Sequence, residues 1–156
     1  YQSAIIYISI YVIMNIGAFS CLYLLKKDGQ YKESISDLSG ISKKHPILAI
    51  SLLIILFSLA GIPPLGGFFA KFYVFVAVLE QQMYALAIIG LLTTVMSAFY
   101  YLKIIKTIYF DDSAITFDLT KNKKAQFSIF ASCIFLVTFF LYPSIFNNMV
   151  TALFVS

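Results

Sequence analysis

The chain has 156 residues, of which 61% are hydrophobic and 12% charged, with a formal net charge of +4. Soluble domains carry about 25% charged residues, and a soluble fold has too little interior for this much apolar surface, so lipid is the expected solvent. Apart from His45 the basic residues are all lysines, eleven of them with no Arg, and without guanidinium forks for phosphates and base edges nucleic-acid binding is set aside.

The first apolar run, Ala4 to Leu25, matches the ~20 helical residues that a ~30 Å hydrocarbon core requires. It follows Tyr1 almost at once, without a starting Met or the basic n-region of a signal peptide, and reads as a piece of a longer protein. Residues 26–45 then hold Lys26, Lys27, Lys32, Lys43 and Lys44 with three acids. The second run, Pro46 to Leu79, is too long for one straight crossing. Only Glu80, Gln81 and Gln82 join it to the third, Met83 to about Leu102 with an interfacial extension to Phe110. Residues 103–124 hold Lys103, Lys106, Lys121, Lys123 and Lys124 with three acids. Within them Asp111 to Lys124 reads as a loop, although Ile115, Phe117 and Leu119 are scattered through it. The fourth run goes from Phe127 to about Tyr142, meets a stop at Pro143 and resumes towards Val155.

Lysine-rich segments mark the cytoplasmic face. Four crossings put both of them on that face and both chain ends on the other. Splitting the second run into two crossings would separate the lysine segments and leave pieces of about 15 residues, too short to span. The expected fold is therefore all-α and integral to the membrane. It is one domain over 1–156 with spans at about 4–25, 46–79, 83–105 and 127–150.

The overlong second crossing carries Gly61-Ile62-Pro63-Pro64-Leu65-Gly66-Gly67. Two prolines remove two backbone donors and clash with the preceding turn, Pro63 is pushed out of the helical region by Pro64, and the glycines permit unusual angles. The expected result is a discontinuous helix broken over Gly61–Gly67; a simple proline kink is the competing arrangement. Irregular backbone at membrane depth is tolerated only where protein or a wet cavity surrounds it. Lys71 follows four residues later, and the eight apolar residues Phe72 to Leu79 separate it from Glu80 by ~12 Å of helix, more than a lysine stem can snorkel. A lysine at bilayer centre costs roughly 3 kcal/mol on insertion scales, and such residues face bundle interiors and serve ion or proton paths. No acid lies within any of the four runs, so a charge partner must come from elsewhere. If the second helix runs straight, Lys71 instead snorkels to the outer interface.

The stretch from Phe57 to Phe75, with Gly61-Ile62-Pro63-Pro64-Leu65-Gly66-Gly67-Phe68-Phe69-Ala70-Lys71-Phe72-Tyr73 at its centre, resembles the signature of the antiporter-like subunits of complex I. The lysine followed by Phe72-Tyr73 is most similar to the subunit N branch of that family. Subunit M usually has glutamate at the lysine position, and subunit L an acid soon after it. His45-Pro46, Tyr100-Tyr101-Leu102-Lys103 and Gly17-Ala18-Phe19 also resemble family segments, so the likeness covers nearly the whole chain and weakens from Asp111 onward. It implies the last four helices of a fourteen-helix antiporter-like bundle, with Lys71 carrying protons in the outer half-channel. It further implies a multi-pass subunit of a bacterial inner-membrane NADH-quinone oxidoreductase that works with other membrane subunits, lipid and protons. NADH, FMN, iron–sulfur clusters and quinone would then belong to partner subunits. A subunit of a multisubunit Na+/H+ antiporter, which shares the Gly-Ile-Pro-Pro break, and a non-transporting membrane scaffold are the alternatives.

Other polar residues admit two roles each. His45, Ser58 and Lys103 are candidates for a proton path; otherwise His45 is an interfacial residue before a helix-starting proline, Ser58 bonds a neighbouring backbone, and Lys103 snorkels. Asn15 is placed between the same two roles as Ser58. Thr93, Thr94 and Ser97 mark either a packing face or a channel wall near Lys71. Cys21 and Cys133 read as small apolar fillers, with no partner at metal-ligand spacing. No phosphate loop, metal cluster or nucleophile constellation is present, so no cofactor or metal site is expected on this chain.

Overall fold

The computed structural model describes residues 2–27, 30–31, 34–112, 118–119 and 122–141. It is all-helical apart from a small ribbon. Helix α1 spans Gln2–Leu24, α2 Ile41–Lys44, α3 Pro46–Ala60, α4 Gly66–Glu80, α5 Tyr84–Phe110 and α6 Lys123–Leu141. Helices α1, α3 and α5 start within two residues of the starts of their apolar runs, and α6 starts four residues ahead of its run, at Lys123; an apolar run in lipid must satisfy its backbone internally. Pro46 occupies the first turn of α3, where its missing N–H is one the helix would leave unpaired anyway.

Differences from the expected elements fall mainly between the helices. Leu25–Lys27 (β1), Gln30–Tyr31 (β2) and Asp118–Leu119 (β3) form an antiparallel ribbon in the order β2-β1-β3. Lys26 is opposite both Tyr31 and Asp118, so the two lysine-rich segments meet through their backbones at one end of the helices. Ile35–Leu38 forms a 3-10 turn, and α2 follows from Gly40, whose positive φ of 65° reverses the chain. The Gly40 N–H donates to the Thr107 carbonyl at 3.3 Å and ties this connection to α5. Helix α5 continues unbroken to Phe110, which is also the end of the interfacial extension read from the sequence. The stop at Pro143 and the run from there to residue 150 lie outside the described residues, as do Ile115 and Phe117.

Two helices among the described residues are long and apolar enough to cross a membrane alone, Ser3–Leu24 and Tyr84–Phe110. Helices α3 and α4 have 15 residues each, ~22 Å of rise apiece, so neither spans by itself. Helix α1 packs on α3, α4 and α6, and α3 also packs on α5 and α6. Ile10 and Met14 of α1, Ile55 of α3 and Leu136 of α6 are fully buried in the common core. Gly17 allows a close approach of α1 to α3 and α6: a Cβ there would lie 2.9 Å from both Ile55 Cδ1 and Ser132 Cβ. The Ser132 hydroxyl also donates across to the Ile13 carbonyl at 3.2 Å.

At the ribbon end, Lys43 Nζ lies 2.6 Å from Asp112 Oδ1, with both side chains well exposed. The hydrogen bond from Lys43, and then its charge, hold the Asp112 carboxyl below the usual carboxylate range. A depressed carboxylate pKa contributes stability above its unfolded value of ~3.9, which is lost as pH falls through the folded value. Exposed pairs are screened and contribute little. Asp112→Asn is therefore expected to leave thermal stability at neutral pH and physiological salt unchanged, measured by a melting curve of the purified membrane assembly.

Candidate functional site

The site is the junction between α3 and α4. Helix α3 ends in a Schellman closure around Gly61, which takes a left-handed φ of 82°. The Gly61 N–H donates to the Ser58 carbonyl and the Ile62 N–H to the Phe57 carbonyl, each at 3.0 Å. That geometry favours glycine, and a proline soon after it cannot continue the helix. Pro63 and Pro64 follow. The break is narrower than the sequence suggests: Gly66 and Gly67 are the first two residues of α4, and Leu65 sits at its cap position.

A helix C-terminus leaves its last four carbonyls without partners. Phe57 and Ser58 are served by the turn itself. The Lys71 ammonium serves the other two, donating to the Leu59 carbonyl at 2.9 Å and the Ala60 carbonyl at 3.4 Å. A cation at this end also opposes the negative pole of the α3 dipole. Lys71 thus reaches back from α4 and closes α3.

The reverse contact closes α4. Ser58, fully buried in α3, accepts from the Gly67 N–H through its hydroxyl oxygen at 2.9 Å. Leu65 supplies no side-chain cap, so Ser58 does what an N-cap residue does, from the other half-helix. Gly67 is required for this approach, since a Cβ there would overlap the Ser58 carbonyl oxygen. Gly61 faces the lysine stem, and a Cβ there would stand 3.1 Å from Lys71 Cδ.

Lys71 opens onto a cleft of about 300 Å³ between α4, α5 and α1, lined by Tyr7, Val74, Val78, Gly90, Thr93 and Thr94 among others. Val74 and Val78 continue the Lys71 face of α4 at helical spacing. Leu86 and Ala87, near the start of α5, also line the cleft. Both threonine hydroxyls donate to the Gly90 carbonyl at 2.9 Å, which leaves their oxygen lone pairs available. A cleft this size has room for several waters.

The candidate residues separate accordingly. Ser58, Gly61, Gly66, Gly67, Pro63, Pro64 and Lys71 come together at the junction. Thr93 and Thr94 join the cleft wall; Ser97 bonds back to the Thr93 carbonyl at 2.9 Å, and Asn15 to the Tyr11 carbonyl at 2.8 Å. His45 stands before the first residue of α3, ~22 Å of helix from the carbonyls that hold Lys71. Lys103 is exposed on α5, nine residues beyond Thr94 and ~14 Å along the axis. Neither belongs to this site, because helical rise separates them from it. Tyr7 was not singled out by the sequence, where it is one tyrosine among several in an apolar run. Among the described residues no three His, Cys, Asp or Glu side chains gather to hold a metal.

Residues 1–97 match the model of the NADH:quinone oxidoreductase/Mrp antiporter transmembrane family. The chain belongs to this family. Among similar family members is the NADH-quinone oxidoreductase subunit N of Pelagibacter ubique (strain HTCC1062), 59% identical over 143 residues, which covers 92% of this chain and 30% of that protein. The subunit N of Rhodospirillum rubrum is 40% identical over 144 residues, with the same 92% and 30% coverage. The antiporter-family chain thus spans less than a third of the length of these relatives. Its fold is also that of a chain in the respiratory complex I of Thermus thermophilus with bound aureothin, with a TM-score of 0.81, 24% identity, and coverage of 94% of this chain and 34% of that one.

Proposed function

We propose that this chain is the C-terminal part of a proton-translocating membrane subunit of NADH-quinone oxidoreductase, of the subunit N type, in a bacterial inner membrane. Lys71 is its proton carrier. The carrying observation is the junction: a lysine midway along an apolar run, bonded to backbone carbonyls and facing a cleft wide enough for water. The subunit N relatives favour this reading over an Na+/H+ antiporter subunit, since their names place them in the oxidoreductase.

In this reading α1, the α3–α4 pair, α5 and α6 are four crossings, the second discontinuous, within a fourteen-helix antiporter-like bundle. The lysine-rich ribbon end faces the cytoplasm. The cleft is the outer half-channel: protons pass between Lys71 and the far face along Thr93, Thr94 and Tyr7, leaving near the Glu80–Met83 connection. A protonatable partner on another segment would exchange protons with Lys71 from the inner side. NADH, flavin, iron–sulfur clusters and quinone are held by other subunits, so the chain acts in the enzyme without a redox centre of its own.

The test is proton uptake by inverted membrane vesicles carrying the assembled enzyme. Lys71→Ala is expected to assemble and to lose most proton translocation. Normal pumping by a fully assembled variant would sink the proposal and favour a scaffold. Thr94→Val is expected to slow translocation less than Lys71→Ala does, because Thr93 offers a second hydroxyl from the same turn. A Thr94→Val enzyme that pumps at the full rate would take Thr94 out of the path.

A further inference from the structure

Three tyrosines gather between α1 and α5, on the ribbon side of the Lys71 cleft. Tyr7 lines that cleft. Its ring stacks on that of Tyr11, one turn further along α1, with centroids 5.9 Å apart and planes 8° from parallel. The Tyr101 phenol of α5 lies close enough to both for their charges to interact. Both helices run towards the ribbon end, so Tyr11 is deeper than Tyr7. Tyr101 is likewise deeper than the cleft wall, seven residues past Thr94 and ~10 Å along the axis. Tyrosines of membrane helices collect at the two interfaces. Tyr11 departs from that pattern, because it is the tenth of the 23 residues of α1, near the middle of the crossing. It is 44% exposed there, on a face of α1 that the described residues leave open around Ile8 and Val12.

We propose that Tyr7, Tyr11 and Tyr101 relay protons between the Lys71 cleft and the protonatable group on another segment of the subunit, which approaches across the open face of α1 at Tyr11. A hydroxyl both donates and accepts. A proton taken on the phenol oxygen is matched by one given up from its O–H, so each ring ends as it began and no charge stays on it. Water bridges polar groups at this spacing. Tyr7 stands in the cleft with Lys71 and stacks on Tyr11, so it joins the two sides. The depth of Tyr11 supports the same arrangement. A hydroxyl in an apolar layer is costly without a polar partner, and a polar group at mid-membrane belongs against protein or a wet cavity rather than lipid. The open face at Tyr11 is therefore where the other segment brings its polar group. The relay rests on the proton-carrying role proposed for Lys71 and assigns it an inward route.

The experiment measures proton uptake by inverted membrane vesicles carrying the assembled oxidoreductase, with subunit yield read alongside. Tyr11→Phe keeps the ring and its stack on Tyr7 and removes only the hydroxyl. It is expected to assemble at the parent level and to slow proton uptake about ten-fold. That is less than the ~100-fold usual for a positioned acid–base group, because water substitutes in part. Tyr7→Phe is expected to act in the same direction, and the double variant to be slower than either. Tyr11→His, which restores a ring that can pass a proton, is expected to recover part of the rate. Tyr100→Phe is the control: Tyr100 is 62% exposed on another face of α5, and its variant is expected to pump normally. If the tyrosines only pack, the phenylalanine variants pump like the parent, and normal uptake by an assembled Tyr7→Phe/Tyr11→Phe double variant would overturn the relay. Slow uptake by Tyr11→Phe with no recovery in an assembled Tyr11→His would also overturn it. Lys71→Gln run in parallel separates the two proposals. If Lys71→Gln loses translocation and the double variant does not, the relay fails and the role of Lys71 stands. If Lys71→Gln pumps normally, the role of Lys71 fails first and the relay with it.

Discussion

Lys71→Gln is expected to assemble at close to the parent level and to abolish proton translocation by this subunit. The comparison with Lys71→Ala separates two tasks that the one side chain performs. Lysine closes α3 by donating to the Leu59 and Ala60 carbonyls, and it is the proposed proton carrier. Alanine removes both functions. It leaves two carbonyls without donors inside an apolar layer, at about 1–3 kcal/mol for each buried group left unpaired. Glutamine keeps an N–H donor near those carbonyls but holds no exchangeable charge. If Lys71 were only a cap, Lys71→Gln would pump normally. If it carries the proton, Lys71→Gln pumps as poorly as Lys71→Ala while assembling better. Subunit yield in membranes reads the first property, and the ratio of protons moved to NADH oxidised reads the second.

The second large effect belongs to Gly67. Gly67→Ala places a Cβ on top of the Ser58 carbonyl oxygen, and that oxygen belongs to backbone already committed to the Gly61 N–H. Nothing there is a flexible tip that can swing aside. The two half-helices must separate, which breaks the Ser58 to Gly67 bond and withdraws Lys71 from its carbonyls. Overpacking costs about 1–3 kcal/mol, and a lost N-cap about 1 kcal/mol more. Against a typical net stability of about 5–15 kcal/mol this is enough to reduce the assembled subunit sharply. Gly66→Ala is the control, one residue away. Its Cβ would meet Leu136 Cδ2 at 3.4 Å, an ordinary contact, and it is expected to assemble normally. Gly61→Ala falls between them, with a strained left-handed backbone but only the movable lysine stem to displace. Equal yields of Gly67→Ala and Gly66→Ala would show that the close approach does not limit assembly.

Much of this site is legible in the residues. A lysine four positions past a run of two prolines and three glycines, within an apolar stretch too long for one helix, directs attention to Lys71 without any coordinates. The same stretch reports where the helix stops. It does not report how the two ends are joined. Ser58 reads as one small polar residue among many, because its partner is a backbone N–H nine positions away, and backbone donors leave no trace in side-chain pattern. The ribbon was invisible for the same reason: Lys26 opposite Tyr31 and Asp118 carries no alternation that a few residues could display. Tyr7 was missed for another reason. Its place in the cleft depends on how α1 packs against α4 and α5, and helix periodicity does not encode that. His45 and Lys103 are a different case. Both are polar residues at the edges of apolar runs, and chemistry alone nominated them; helical rise puts them far from the lysine.

The mutual closure of α3 and α4 has a consequence for timing. A side chain that ends a helix is not free to wander. Each departure of Lys71 from the Leu59 and Ala60 carbonyls leaves them bare until it returns or water takes its place. The excursions of the amine are therefore costly, at about 1–3 kcal/mol for each buried acceptor left unpaired. A residue on an ordinary surface would sample its surroundings at the pace of rotamer flips. This one is held back by that cost, so the backbone of α3 acts as a brake on the side chain of α4.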